Sequence, residues 1–355
     1  MSKARWDLHD AQWRDPAQVV GLWAGGERPG LRTRVRGGFW EAIDGACLLV
    51  TREYEHAVVG LSGGRQTQMT LPHPSGIAVA EERVTVASTR NPNQLVELRP
   101  AEAEGRPLVP VRTAFHPGAL YLHDLAYVGG TLHGNAVGQN AVVRLDRERA
   151  ERVWWPKAIE SDAGPDFSRN YLQLNSIAAG PSVESSFYSA SSDRISARRP
   201  GHRNFPVDGR GVIFSGRTRE PVVTGLTRPH SARLHDGELW VESSGYGEVG
   251  VAVDGKLDVV ARVPGWTRGL AFYRDVALVG TSRVIPRFRS YAPGLDLEKS
   301  VCGVFAIDTR SGATLGSLIW PEGNQVFAVE AVPARLTGGF PRGDLRELYY
   351  NLPFA

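Results

Sequence analysis

Cysteine and lysine are both scarce in this chain of 355 residues. The two cysteines, Cys47 and Cys302, lie far apart in apolar strand-like runs (ACLLV and VCGVF). They read as buried thiols, with no CxxC pair for zinc or redox work. Lysine occurs only at positions 3, 157, 256 and 299, so nearly every cation is arginine, a bias that a GC-rich genome produces without any function. The formal charge of +3 includes no dense block of one sign, which argues against a nucleic-acid partner. No run of about 18 apolar residues exists to span a membrane. The opening MSKARWDLHDAQWRDP has no apolar signal core, so a cytoplasmic protein is expected.

Convincing amphipathic helices are missing too. What the chain has instead is short alternating or apolar runs of four to seven residues, separated by Gly, Pro, Asp and Asn. Hydrophobic content of 42% is enough for a sizeable core, and the pattern is all-β. Five segments align: HPSGIAVAEERVTVAS from His73, LHDLAYVGGTLHGNA from Leu122, LNSIAAG from Leu174, PHSARLHDGELWVESS from Pro229 and TRGLAFYRDVALVGTS from Thr267. Each places a polar or small residue before a short strand, and in four a two-residue turn follows at nearly the same offset: Glu81-Glu82, Gly129-Gly130, Asp236-Gly237 and Arg274-Asp275. Third and fourth strands come after each hairpin, which is the repeat of a β-propeller blade.

First strands at Ala42-Ile43, Ile77, Leu125, Ile177, Ala232, Leu270 and Val329 predict seven blades, with six as the alternative. The last blade looks unfinished, so strands from residues 18–38 are expected to complete the sheet containing Val329 and leave no open edge. Residues 1–17 would form an extension and 18–355 one propeller domain. The long irregular stretches 157–173, 191–211 and 283–300 all bear arginine and should rise near one mouth of the ring.

In a propeller the residue just before each first strand points at the channel rim. That register holds Ser75, His123, Asn175, His230 and Arg268, with Trp40 and Phe327 assigned by weaker alignment. Rim polar groups often satisfy strand ends or channel water. Two imidazoles, an amide and a guanidinium on one circle nevertheless suit a polar ligand. Asp124 and Ser231, each following a rim histidine, are placed to orient the rings or to cap turns. Further down the channel alanine prevails, except for Arg233 and Glu330, which are expected to pair.

The same residues carry a family resemblance. PHSARLHDGELWVESSGYGEV resembles the Pro-His-Ser-Pro-Arg-Trp-His-Asp-Gly segment of a bacterial family of conserved β-propeller-like proteins of unknown function. LLVTREYEHAVVGL, HPSGIAV, LHDLAY, LNSIA, PGWTRGLAF, ALVGTSR and CGVFAIDTRSGATLG are similar to its successive landmarks over residues 46–333. The resemblance implies the fold and matches His123, Asn175, His230 and Arg268 to motif positions, but it implies no activity. Gln173, Ala232, Leu234 and Ala328 depart from the pattern, the first and last close to the rim.

Three functions follow as expectations. One is a biosynthetic enzyme acting on a small or peptidic anionic intermediate as a lyase, isomerase or cyclase. In it His123 and His230 would be acid and base, Arg268 the anion anchor and Asn175 a hydrogen-bonding group for a carbonyl or oxyanion, with Ser75, Trp40 and Phe327 lining the substrate. A variant has a divalent metal on His123 and His230. The third is a scaffold that binds a protein or peptide through Tyr246, Trp266 and Phe288.

Overall fold

The computed structural model describes residues 29–341 apart from 90–92, 147 and 203. The expected extension 1–17, the strand expected at AQVVGLWAG and the terminal RELYYN fall outside the described residues.

Six antiparallel sheets stand around a channel, each running from an inner strand outward. Blade 1 is Pro74–Ala80, Arg83–Ser88, Gln94–Pro100 and Leu108–Phe115; blade 2 is Leu122–Val128, Thr131–Ala136, Ala141–Arg144 and Glu151–Trp154. Blade 3 is Leu174–Ala178, Phe187–Ala190, Gly211–Ser215 and Pro221–Leu226; blade 4 is Ala232–His235, Glu238–Ser243, Glu248–Val253 and Lys256–Arg262. Blade 5 is Trp266–Tyr273, Val276–Ser282, Gly303–Asp308 and Thr314–Ile319. The inner hairpins turn where the sequence placed them. Asp236 and Gly237, for instance, have φ of 49° and 81°, as a primed two-residue turn requires.

Blade 6 corrects the count from seven to six. Its inner strand, Val329–Pro333, comes from the C-terminal side and pairs with Ala46–Arg52, beyond which lie Ala57–Ser62 and Arg65–Thr70. The ring is therefore closed by strands from both ends of the chain, but not by those expected. Ala42-Ile43 is no first strand: Phe39–Ala42 is a single helical turn, and its apolar residues Phe39 and Ile43 plug the core shared by blades 5 and 6. Arg34–Gly37 pairs with Thr314–Ile319 as a fifth, outermost strand of blade 5 rather than joining the sheet of Val329. Ala46–Arg52 is buried along its whole length because it lies inside its sheet, flanked on both sides.

Neighbouring blades are laced near their upper ends by side chains that bond to the next blade's backbone. Ser75 Oγ donates to Leu122 O (3.0 Å) and Asp124 Oδ2 accepts from Ile177 N (3.0 Å). Ala232 N donates to Ser176 Oγ and Gly269 N to Ser231 Oγ, both at 2.8 Å. Thr51 Oγ1 joins blade 6 to blade 1, donating to Ser75 O (2.6 Å) while accepting from Ala328 N (2.9 Å). Glycine serves the same convergence: at Gly269 (φ 93°) a Cβ would stand 2.7 Å from Val329 N. The lacing satisfies strand ends that the taper would leave without partners.

Both cysteines are buried, and burial pushes each thiol up to about 12, so they pack as small apolar groups. Among the described residues no helix is long and apolar enough to cross a membrane.

Candidate site at the upper channel mouth

With six blades, the register two residues ahead of Ile77, Leu125, Ile177, Ala232, Leu270 and Val329 contains Ser75, His123, Asn175, His230, Arg268 and Phe327, one residue per blade. Trp40 drops out, since it packs beside Phe39 against the core of blades 5 and 6.

Phe327 organises the circle. Its ring edge meets His123 (centroids 5.3 Å, 89°) and His230 (5.8 Å, 87°), and the Arg268 guanidinium carbon lies 3.4 Å from its centroid. The imidazoles lie nearly parallel at 5.9 Å and 23°. All four side chains are at most 5% exposed, so this part of the rim is a desolvated cluster.

Asn175 fixes the tautomer of His123. Its Nδ2 donates to Pro229 O (2.8 Å) and Ser191 Oγ (3.2 Å), which turns Oδ1 toward His123 Nδ1 at 3.3 Å. On that assignment from the network, Nδ1 carries the proton and the neutral ring has its lone pair on Nε2. The amide is thereby committed within the protein, so Asn175 positions a histidine rather than facing a carbonyl or oxyanion. Ser75, Asp124 and Ser231 are spent on lacing the blades, and the last two do not orient the rings.

His230 is set differently. Burial first, then the charges of Arg268, His123, Arg228 and Arg233, hold its pKa well below 6.5, so the ring is neutral at pH 7. Its Nε2 is buried and has no hydrogen-bond partner among the described residues. Arg268 Nε is buried without a hydrogen-bond partner among the described residues, its guanidinium forms no ion pair with any of them, and burial lowers its pKa.

Two residues upstream of the rim runs a second circle: His73, Tyr121, Gln173, Arg228, Trp266 and Gln325. The first four have φ between 45° and 55°, a left-handed conformation unusual outside glycine. Within it, Arg228 Nη1 donates to Gln173 Oε1 (3.0 Å) and the guanidinium lies 4.1 Å from the Tyr291 ring centroid. The sequence reading missed Arg228. The constant offset of two from the rim was the available signal.

Of the three long loops, 191–211 and 283–300 meet over this side of the mouth. Phe205 and Val207 from one cluster with Tyr291 and Phe288 from the other, against Trp266, and Tyr291 Oη donates to Gly201 O (2.9 Å). The third loop ends at Leu172, in the core of blades 2 and 3, with Tyr171 N and Leu172 N both donating to Asn140 Oδ1. A cavity of about 370 Å³ lies away from the rim, between Glu81, Glu82, Arg106 and Arg335. Its Arg106 is paired with Glu82 and none of the rim residues line it.

Beneath the rim is a charged cluster. Arg233 does approach Glu330 (3.5 Å), but its shorter partner is Asp124, held by two contacts at 2.8 and 3.3 Å. Burial pushes the Glu330 carboxyl up to about 7, and Glu242, which accepts from Ser231 N, up to about 8. A raised carboxyl stabilises the fold fully below its unfolded pKa near 4.5, and that contribution is lost as pH rises through the folded value. Glu242→Gln should therefore match the parent in melting temperature near pH 4.5 and exceed it increasingly up to pH 8. A pH series by differential scanning calorimetry checks this, and a constant difference would contradict it.

Among the described residues no group of three or more His, Cys, Asp or Glu side chains is arranged to hold a metal. At the rim, His123 and His230 offer two imidazole donors.

Residues 40–337 match the family described as Domain of unknown function (DUF4915). No curated protein sequence matches the chain. Among solved structures, a nidogen/laminin complex aligns with a TM-score of 0.54 at 8% identity, over 81% of this chain and 98% of that one, a likeness of fold alone. A gluconolactonase from Xanthomonas campestris aligns at 0.46 and 15% identity, over 71% and 77%. The β-propeller domain of Cps50 (Swd1) from Myceliophteria thermophila aligns at 0.39 and 9% identity, over 76% and 85%.

Proposed function

We propose, for a chain that belongs to the DUF4915 family of domains of unknown function, that the upper channel mouth binds a small anionic molecule and moves a proton on it, as a lyase, isomerase or cyclase does. The observation that carries the reading is Arg268, a guanidinium 5% exposed with no ion pair among the described residues, beside a histidine held neutral. Buried cations are normally paired. A carboxylate or phosphate on the substrate supplies the missing charge, and the planar fork of arginine suits either.

Proton movement falls to the imidazoles. His230 Nε2, neutral and buried without a partner, is the base that accepts a proton from carbon or oxygen. His123, its tautomer set by Asn175, stands beside it to carry a proton to or from the reacting group. Phe327 and the surrounding burial exclude water, which strengthens each of these contacts. In the metal-dependent variant His123 and His230 would hold the cation, which would polarise the bound anion. The scaffold reading has less support: Trp266 and Phe288 pack under the two loops, and Tyr246 is tied to Asp208.

A binding screen tests the proposal. At a hundred times its Kd, an anionic ligand should stabilise the protein by about 2.7 kcal/mol, and Arg268→Gln should remove the effect. Persistence of binding and turnover after chelation separates acid–base chemistry from the metal variant. If neutral compounds stabilise the protein as well as anions do, the reading fails.

A further inference from the structure

We infer that the ligand of this mouth carries two separate anionic groups, one taken by Arg268 and the other by Arg228; the inference rests on the anion-site reading above and narrows it to small dicarboxylates and their like.

Arg228 and Arg268 are 3% and 5% exposed, and neither lies within 4 Å of a carboxylate among the described residues. Their contacts are neutral. Arg228 has the Gln173 amide oxygen and the Tyr291 ring, and Arg268 has the faces of Phe327 and Trp266. Such partners orient a guanidinium without cancelling its charge. Burial brings the pKa of Arg228 down to about 10, with Arg268 as a further repulsive charge. Glu53 and Glu242 favour the charged form of Arg268 only from beyond ion-pair distance. Glu53 is engaged by Thr89 Oγ1, and Glu242, with a carboxyl raised to about 8, is protonated at neutral pH.

One buried cation without a counter-charge calls for one anion; two at the same mouth, each repelling the other, call for two. A single doubly charged group would have to satisfy both forks at once. Arg228 belongs to the outer circle on the loop entering blade 4, and Arg268 to the inner circle of blade 5. That difference of circle and blade suits two groups joined by a short carbon chain. The charges of both arginines reach the ring of His230, so a chain held at both ends presents its middle carbons to the base. Closure of loops 191–211 and 283–300 over Tyr291 shields the Arg228 end from water.

The test is calorimetric titration of the full chain at constant ionic strength with acetate, inorganic phosphate, malonate, succinate and glutarate. At least one dicarboxylate should bind ten-fold or more tightly than acetate. Arg228→Gln should erase that preference, so that every dicarboxylate binds no more tightly than acetate does at the remaining Arg268 site, and Arg228→Lys should retain part of it. Equal affinity for acetate and every dicarboxylate, or tightest binding by inorganic phosphate, overturns the two-group inference and leaves the anion site standing. No binding by any of the five overturns both. The parent protein alone decides the comparison if Arg228→Gln fails to fold.

Discussion

Replacing His230 with glutamine is expected to lower turnover by roughly 10²–10⁴-fold, the contribution of a positioned acid–base group. Glutamine keeps a polar side chain of similar reach but cannot take up a proton. The pH profile carries the sharper test. The active form is the neutral ring, and burial with the Arg268 charge holds its pKa well below 6.5. The acid limb of kcat/KM should therefore lie below pH 6.5, with no loss between pH 6.5 and 7.5 from this group. Stability follows the same sign: a depressed pKa stabilises the fold above 6.5 and that contribution fades as pH falls through the folded value. Because the ring is buried against His123, Phe327 and Trp266, His230→Ala should also cost about 1–3 kcal/mol. An acid limb at or above pH 6.5, or full turnover in the glutamine variant against an identified substrate, would refute the assignment.

The rim was legible because propeller geometry repeats. Hairpins such as Asp236-Gly237 anchor the inner strands, and counting back from them reaches His123, Asn175, His230 and Arg268 without knowledge of any contact. The count of blades was not legible. Ala42-Ile43 ahead of ACLLV has the form of a strand pair, and only the pairing of Ala46 with Pro333, from the far end of the sequence, shows that no inner strand is needed there. Nor does a sequence show how a polar group is spent. Asp124 beside His123 looks like an orienting carboxylate, yet its oxygens go to Ile177 N and Arg233. Asn175 looks like a group for substrate, yet both its donors go to Pro229 and Ser191 and its oxygen faces His123. Arg228 could be found by its constant offset of two from the rim, but that it lacks a carboxylate partner among the described residues is a property of the assembled mouth.

The channel cluster gives the largest expected change in stability. Arg233→Met should destabilise the fold by about 3–5 kcal/mol, because it leaves a buried carboxylate without its counter-charge. The carboxylate that matters is Asp124, 4% exposed, which receives two contacts from the guanidinium and keeps only the backbone N–H groups of Leu125 and Ile177 once it is gone. Burial opposes the charge of Arg233, but Asp124 first and Glu330 second outweigh it and hold its pKa above the usual range. Glu330 is the weaker partner, at 3.5 Å, with its own carboxyl lifted to about 7. Glu330→Gln should accordingly cost far less than Arg233→Met at pH 8, since it removes a charge that burial disfavours. Combining Arg233→Met with Asp124→Asn should recover part of the loss, because the orphaned charge goes with its partner. Urea denaturation of the three variants at pH 8 measures the order. If Glu330→Gln proves as costly as Arg233→Met, then Glu330 and not Asp124 is the charge that Arg233 is there to balance.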